Sequence, residues 1–209
     1  LETKLNDPII NSNYQIKQAE YKHLCHEAIS SNCLYTLTCI DNVNGDILSP
    51  NWLKDRLEKS GLNSINLIVD LTNYILLEQG QPLHAFDKDK LAKLIGKEVL
   101  PEDFSVRKAN NNESLLCLDG NNYKLNQNIT IIACNDIPVA IAGVIGGLET
   151  SVSNSTSSIL LEGAVFNPVS IRKSSKEIGL RTESSSRFEK GISFKNTLPS
   201  ITRTLNLLE

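Results

Sequence analysis

The chain has 209 residues, 40% of them hydrophobic and 22% charged, a balance typical of a globular domain with one sizeable core. Its net charge of −3 excludes a strongly basic surface that would hold nucleic acid by charge alone. No apolar run is as long as a membrane span, and the start lacks a basic-then-apolar targeting signal, so we expect a cytoplasmic protein with no membrane partner.

The cysteines show no CxxC spacing, which favours reduced thiols over disulfides. The cluster of His23, Cys25 and His26 lacks a second pair of ligands, so we predict no metal site there. The chain begins with Leu1 and contains no Met. We therefore expect it to be a piece of a longer protein.

The first third of the chain alternates between strand and helix signals. Residues 1–20 are polar and predict a strand at most, whereas residues 33–40 are rich in strand-forming residues. Ser49 is predicted to cap a helix that has Pro50 in its first position and that ends at Gly61. The inner side of this helix is predicted to carry Trp52, Leu53 and Leu57.

Residues 68–79 follow, with apolar side chains at helical spacing that predict a partly buried helix. Gly80 and Pro82 are placed to end it. A loop is then predicted to hold His84, Phe86 and Asp87, close to Asn73 of the helix. A histidine and an asparagine beside one rigid element are a typical arrangement for a functional site.

The rest of the chain predicts short strands followed by helices. A short helix is predicted at residues 87–94, and Asp119-Gly120 is a strong hairpin signal. Strands are predicted at residues 104–108, 114–118, 122–125, 129–133, 138–144 and 158–162. Helices are predicted from Pro168 to Gly179 and over residues 197–208. Together these elements predict one compact α+β unit over residues 1–209, with a β-barrel or sandwich-like core.

Four places could carry chemistry, and each also has an ordinary structural explanation. A lone histidine such as His84 is more often structural than catalytic. The glycines of residues 138–147 allow close approach to a ligand, but they also fit a strand with a tight turn. Glu162 either needs a buried partner or emerges into water at its strand end. The stretch 179–191 is polar enough to be a solvated loop.

Taken in order, these motifs resemble a known family. The ordered motifs are Val69-Asp-Leu-Thr-Asn-Tyr74, Gly80-Gln-Pro-Leu-His-Ala-Phe-Asp87, Leu118-Asp-Gly120, Ala140-Ile-Ala-Gly-Val-Ile-Gly-Gly147, Leu160-Leu-Glu162 and Gly179-Leu-Arg-Thr-Glu-Ser-Ser-Ser-Arg-Phe-Glu-Lys-Gly191. Their succession is similar to the B3/B4 region, the editing module, of the β chain of bacterial phenylalanyl-tRNA synthetase. The resemblance runs from about Ser49 to Gly191.

The resemblance implies an α+β fold of the B3/B4 type, with a β-barrel-like core of short strands and an inserted mixed α/β region. It implies hydrolysis of misacylated Tyr-tRNA(Phe), within an enzyme that charges tRNA(Phe) with phenylalanine using ATP. The implied partners are the 3′ end of tRNA(Phe), the tyrosine moiety of the misacylated tRNA and the synthetase α chain. ATP and Mg²⁺ would belong to the synthetic site, so no cofactor and no metal are expected in this domain.

The family's functional positions match seven residues of this chain: Asn73, His84, Gly143, Gly146, Glu162, Thr182 and Ser184. By resemblance, Glu162 recognises the tyrosine hydroxyl, Thr182 and Ser184 line the side-chain pocket, Gly146 leaves room near the aminoacyl group, and Gly143 is a further substrate-binding position. His84 and Asn73 are expected near the ester and the terminal adenosine, as the catalytic pair around a hydrolytic water.

Two departures from the family bear on editing efficiency. Many bacterial relatives carry Arg where Asn63 stands, and others carry Ala where Ser184 stands, so charge at the entrance and polarity in the pocket differ here. Two rival functions remain open. One is a non-catalytic module for tRNA binding or subunit assembly, and the other is a free-standing deacylase. Glu162, His84 and Thr182 lining one pocket would favour editing.

Overall fold

The computed structural model describes residues 33–208, so the predictions for residues 1–20 and for His23, Cys25 and His26 lie outside the described residues. The strands are β1 (Leu34–Asp41), β2 (Leu83–Asp87), β3 (Phe104–Lys108), β4 (Ser114–Leu116), β5 (Asn122–Lys124), β6 (Thr130–Cys134), β7 (Ile137–Ile141), β8 (Ile145–Gly146) and β9 (Ser158–Val165). The α-helices are α1 (Asn51–Lys59), α2 (Leu67–Gln79), α3 (Lys88–Ile95), α4 (Pro168–Ile178), α5 (Glu183–Phe188) and α6 (Thr197–Leu208), and short 3₁₀ turns cover Pro101–Asp103 and Phe194–Asn196.

The described strands form three antiparallel sheets, ordered β1-β9-β2, β3-β6-β7-β8 and β4-β5. The α+β class is thus confirmed, but the predicted β-barrel-like core is not found, because none of these sheets closes on itself. Strands of two or three residues, such as β4, β5 and β8, are too short to continue a hydrogen-bonded cylinder.

The β1-β9-β2 sheet is buried on both faces. One face contributes Tyr35, Phe86 and Leu160 to the main core, which it shares with the four-stranded sheet. The other face packs on α2 and α6. Gly163 allows this packing, because a Cβ there would lie 2.8 Å from the Cδ1 atom of Ile201 on α6. Polar side chains on the core face of this sheet are therefore removed from bulk water.

The helices predicted at residues 68–79, from Pro168 to Gly179 and at residues 197–208 are confirmed as α2, α4 and α6. Asn66 caps α2 by accepting a hydrogen bond from the amide of Val69 at 3.0 Å, and Gly80 ends the helix with φ of 70°. Asn167 caps α4 and Gly179 ends it in the same left-handed conformation. The last helix has the predicted bounds. Within the described residues, no helix combines the length and the apolar character needed to cross a membrane.

Two predictions about α1 are wrong. Pro50, not Ser49, precedes the first helical residue, and the Ser49 hydroxyl donates instead to Oδ2 of Asp70 at 2.5 Å. Trp52 is 43% exposed and meets Tyr74 edge-on, with ring centroids 5.5 Å apart. Its ring also lies beside the guanidinium of Arg56, so the position is an amphipathic surface site and not part of the inner side.

Two segments predicted as loops from the sequence form a strand and a helix. Residues 83–87 form β2 instead of a loop, because β9 supplies a complete antiparallel partner for them. Residues 183–188 form α5 instead of a solvated loop, and Ser185 and Phe188 of this helix are buried. Glu162 lies in the middle of a strand that continues to Val165, so it does not emerge into water.

Asp70 anchors the start of α2 to the preceding loops, and its removal should destabilise the chain. Its buried carboxylate accepts hydrogen bonds from the hydroxyls of Ser49 and Ser64 and from the amide of Ile65. Asp70→Ala leaves these donors without an acceptor, so we expect the free energy of unfolding in urea to fall by about 3 kcal/mol. Asp55→Ala, at an exposed position of α1, is the control. Equal losses in both variants would contradict the anchoring role.

Candidate functional site

A cavity lies between the β1-β9-β2 sheet, the β7–β8 turn and α5. Its walls combine apolar side chains with one carboxyl group, one imidazole and one hydroxyl. The lining residues are Pro82, Leu83, His84, Ile132, Ala140, Ile141, Gly143, Val144, Ile145, Gly146, Glu162, Ser184 and Phe188. Five of the seven residues expected at the site from the sequence are therefore brought to one place: His84, Gly143, Gly146, Glu162 and Ser184.

Strand register places His84 directly opposite Glu162. The two residues are partners in the β2–β9 ladder, so their side chains project from the same face of the sheet. The His84 ring meets Phe86 edge-on, with centroids 4.5 Å apart. Its Nε2 atom is buried and has no hydrogen-bond partner among the described residues. Burial lowers the pKa of His84 to about 4, so the imidazole is neutral at pH 7.

Glu162 is a buried carboxyl group with one protein partner. Only 6% of the residue is exposed, and Oε2 accepts a hydrogen bond from the Tyr35 hydroxyl at 3.1 Å. Burial raises the pKa of Glu162 to about 8, and the hydrogen bond from Tyr35 opposes this shift. At pH 7 the cavity is therefore lined by a protonated carboxyl group beside a neutral imidazole.

Gly143 in the β7–β8 turn and Gly146 in β8 let the backbone pack closely against side chains that line the cavity. Gly143 has φ of 65°, and a Cβ there would lie 2.9 Å from Cδ2 of Phe188. A Cβ at Gly146 would lie 2.5 Å from Cε1 of His84 and 2.9 Å from its Nε2 atom. The backbone therefore approaches the imidazole more closely than any other residue type permits.

The start of α5 closes another side of the cavity. Thr182 caps this helix by accepting a hydrogen bond from the amide of Ser185 at 3.1 Å, and its hydroxyl donates to the carbonyl of Val144 at 2.8 Å. Thr182 is not itself a lining residue, but it joins α5 to the β7–β8 turn. Ser184, two positions later, does line the cavity.

Asn73 is the one predicted site residue that lies on a separate element. It is partly buried on α2 and is not among the lining residues. Asn63, in the exposed connection between α1 and α2, is also outside the cavity. Tyr35, by contrast, was not predicted at the site. The sequence signal for it was only a tyrosine at an inward-facing position of a predicted strand, which also describes an ordinary core residue.

The chemistry available in the cavity is that of hydrogen bonding and proton placement. Within residues 33–208, no three His, Cys, Asp or Glu side chains converge in the way that a metal site requires. The carboxyl group of Glu162 can pair with a polar group at the end of an otherwise apolar ligand. The Nε2 atom of His84 can pair with a second polar group or with water.

Comparisons with known proteins agree with the resemblance seen in the motifs. The model of the B3/4 domain family matches residues 31–209. The phenylalanine–tRNA ligase beta subunit of Prochlorococcus marinus (strain MIT 9312) is 72% identical over 209 residues, which cover 100% of this chain and 26% of the relative. That of Synechococcus sp. (strain CC9605) is 48% identical over 176 residues, which cover 84% of this chain and 22% of the relative. This chain thus spans about a quarter of the length of such relatives.

A solved structure overlaps more loosely. The crystal structure of an N-terminal fragment of the phenylalanyl-tRNA synthetase beta-subunit from Pyrococcus horikoshii is 13% identical, with 69% of this chain and 45% of that chain covered and a TM-score of 0.41. An overlap of this size carries no argument about individual positions. The family match and the curated relatives confirm the resemblance to the β chain of phenylalanyl-tRNA synthetase, and the chain belongs to the B3/4 domain family.

Proposed function

We propose that this chain is an editing module that hydrolyses the ester of Tyr-tRNA(Phe), as part of a synthetase that charges tRNA(Phe) with phenylalanine using ATP. The observation that carries the proposal is the cavity in which the buried carboxyl group of Glu162 lies beside His84. A purely structural module has no need of a buried carboxyl group facing an open cavity, since burial of such a group is costly.

The carboxyl group that lines the cavity suits the selection of tyrosine over phenylalanine. An apolar pocket rejects an added hydroxyl only about 10²-fold, so a synthetic site for phenylalanine admits some tyrosine. A site that hydrogen-bonds the hydroxyl rejects the analogue that lacks it by about 10⁴–10⁵. Glu162 offers such a partner to the phenol, while apolar neighbours such as Ile141 and Phe188 accommodate the ring.

The ester would lie toward His84, whose Nε2 atom has no hydrogen-bond partner among the described residues. In the reaction, the oxygen of water bonds to the ester carbonyl carbon, the bond from that carbon to the ribose oxygen breaks, and the ribose oxygen leaves with a proton. A pKa of about 4 makes His84 a weak base, so we assign it the role of orienting water or the ester through Nε2. An aminoacyl ester is already activated, and no covalent intermediate is needed.

The remaining assignments follow from the same proposal. Asn73 lies outside the cavity, so we place it near the terminal adenosine of the tRNA. Thr182 would act by holding α5 against the β7–β8 turn. The synthetase α chain and tRNA(Phe) would be the partners of the whole enzyme, in the cytoplasm, and ATP and Mg²⁺ would serve the synthetic site.

The test is deacylation of Tyr-tRNA(Phe) and of Phe-tRNA(Phe) by the wild-type chain and by Glu162→Ala. We expect the wild type to clear the tyrosyl ester selectively, and we expect Glu162→Ala to lose at least tenfold of that selectivity because the phenol loses its partner. Glu149→Ala, which removes an exposed carboxylate outside this cavity, is the matched control and should behave like the wild type.

The other outcomes separate the rival functions. If neither ester is cleared but the chain binds tRNA(Phe), it is a tRNA-binding or assembly module. Clearance of another aminoacyl ester in preference to Tyr-tRNA(Phe) would identify a deacylase with a different substrate. Selective clearance that survives Glu162→Ala would leave the editing function intact but remove Glu162 from tyrosine recognition.

A further inference from the structure

Tyr35 reaches Glu162 diagonally across the sheet. In the β1–β9 ladder, Tyr35 is the partner of Ala164 and Leu37 is the partner of Glu162, so Tyr35 and Glu162 are diagonal neighbours on one face. The Tyr35 hydroxyl donates to Oε2 of Glu162 at 3.1 Å, between residues 127 positions apart. The contact is thus produced by the sheet and not by local chain geometry.

The Tyr35 ring is held in place by the main core. The residue is 4% exposed, and the rings of Phe104 and Phe166 lie with centroids 6.5 Å from its own. Burial and then the carboxylate form of Glu162 raise the pKa of the Tyr35 hydroxyl well above its ordinary value. The hydroxyl therefore stays protonated and acts as a donor of fixed direction.

The Tyr35 hydroxyl is hydrogen-bonded to one of the two oxygens of the Glu162 carboxyl group. Among residues 33–208, no other side chain or backbone group forms a hydrogen bond with that carboxyl. Oε1 therefore has no protein partner in the described part of the chain, while Glu162 lines the cavity. Recognition of a phenol through Oε1 requires the plane of the carboxyl group to be fixed by something else, and Tyr35 is the group placed to fix it.

We propose that Tyr35 is a positioning residue for specificity: its hydroxyl holds Oε2 of Glu162 so that Oε1 is presented to the phenol of the substrate. This inference rests on the proposed editing function and adds to it a separate role for each of the two carboxyl oxygens. The protein's own phenol fixes one oxygen, and the phenol of the substrate is read by the other.

The test compares Tyr35→Phe with the wild-type chain in deacylation of both esters. The variant keeps the ring and its contacts with Phe104 and Phe166 but loses the hydroxyl. We expect kcat/KM for Tyr-tRNA(Phe) to fall roughly tenfold, with the slow clearance of Phe-tRNA(Phe) unchanged. Tyr123→Phe is the matched control, because it removes a phenol that donates to Asp119 at 2.7 Å outside the cavity, and it should leave both rates unchanged.

A second measurement distinguishes positioning from a general loss of packing. The hydrogen bond from Tyr35 lowers the pKa of Glu162 against the larger effect of burial. In Tyr35→Phe, the pH at which Glu162 ionises in the folded chain should therefore move upward. The shift is read as a change in shape of the pH dependence of the unfolding free energy, whereas lost packing lowers that energy equally at every pH.

The outcomes separate this inference from the function on which it rests. If Tyr35→Phe keeps wild-type selectivity while Glu162→Ala loses it, the editing function stands and the inference is wrong. A fall in selectivity without the shift in Glu162 ionisation also overturns the inference, since Tyr35 would then act through packing. If the wild-type chain clears neither ester, the proposed function fails and the specificity role of Tyr35 fails with it.

Discussion

Glu162→Gln should become progressively more stable relative to the wild-type chain as the pH rises from about 5 to about 8. In the folded protein the carboxyl group has a pKa of about 8, whereas in the unfolded chain it ionises near its ordinary pKa of 4.5. Folding thus takes up a proton between these values. The stability that Glu162 contributes is complete below pH 4.5 and is lost as the pH rises through 8.

The expected difference is large because a glutamine at this position does not titrate. Each pH unit in this window costs the wild-type chain about 1.4 kcal/mol relative to the variant, or about 4 kcal/mol from pH 5 to pH 8. The measurement is urea denaturation of both proteins at intervals of pH. Glu149→Gln, which changes an exposed side chain, is the matched control. Parallel curves for Glu162→Gln would show that Glu162 is ionised in the folded chain.

The contribution of His84 to the unfolding free energy depends on pH in the opposite direction to that of Glu162. It does not affect the comparison of Glu162→Gln with the wild type. Its pKa falls from 6.5 to about 4 on folding, so its contribution is complete above pH 6.5 and is lost as the pH falls through 4. The histidine is present in both proteins, and its effect cancels in their difference. The wild-type chain alone should show the two effects opposing one another between pH 4.5 and pH 6.5.

Gly146→Ala should reduce the clearance of Tyr-tRNA(Phe) roughly 100-fold, because displacement of a reacting group by about 1 Å can cost that much. The new Cβ would lie 2.5 Å from Cε1 of His84, and the ring cannot simply rotate away because it is packed edge-on against Phe86. The imidazole or β8 must therefore shift, and we expect either displacement to disturb the position of the ester. The measurement is single-turnover deacylation with the variant and the wild type.

Gly96→Ala is the matched control for this exchange. Gly96 has φ of 72° and ends α3, and a Cβ there meets nothing within 4 Å, so alanine brings backbone strain without any contact to the cavity. We expect a loss of stability with unchanged clearance. If Gly146→Ala is as active as Gly96→Ala, the close approach of β8 to His84 has no part in the reaction.

Local rules predicted most of the helices because their signals are contained in short stretches. Asn66 and Gly80 mark the ends of α2 through capping and a positive φ, and both effects depend only on neighbouring residues. The start of α1 was misplaced because Ser49 is used by Asp70, a residue of the next helix. A tertiary hydrogen bond thus overrode the local capping preference.

The pairing of His84 with Glu162 could not be predicted from short stretches of sequence. His84 and Glu162 face each other because β2 pairs with β9, and nothing in the sequence near His84 indicates that register. The same holds for Tyr35, whose only sign was its place in a predicted strand. The family resemblance named seven residues, and five of them line one cavity. The open sheets and the pairing of the Glu162 carboxyl group with a buried tyrosine could be seen only in the three-dimensional arrangement.

The position of β9 affects how the chain folds during its synthesis. It is the last of the described strands along the sequence, yet it lies between β1 and β2 and hydrogen-bonds to both. During synthesis on the ribosome, β1 and β2 lack their pairing partner until residues 158–165 have emerged. Unpaired strand edges at that stage promote aggregation. Pairings of such long sequence separation also form slowly. Glu162 belongs to the same strand, so a nascent chain that stops before it lacks both the central strand of the sheet and the carboxyl group of the cavity.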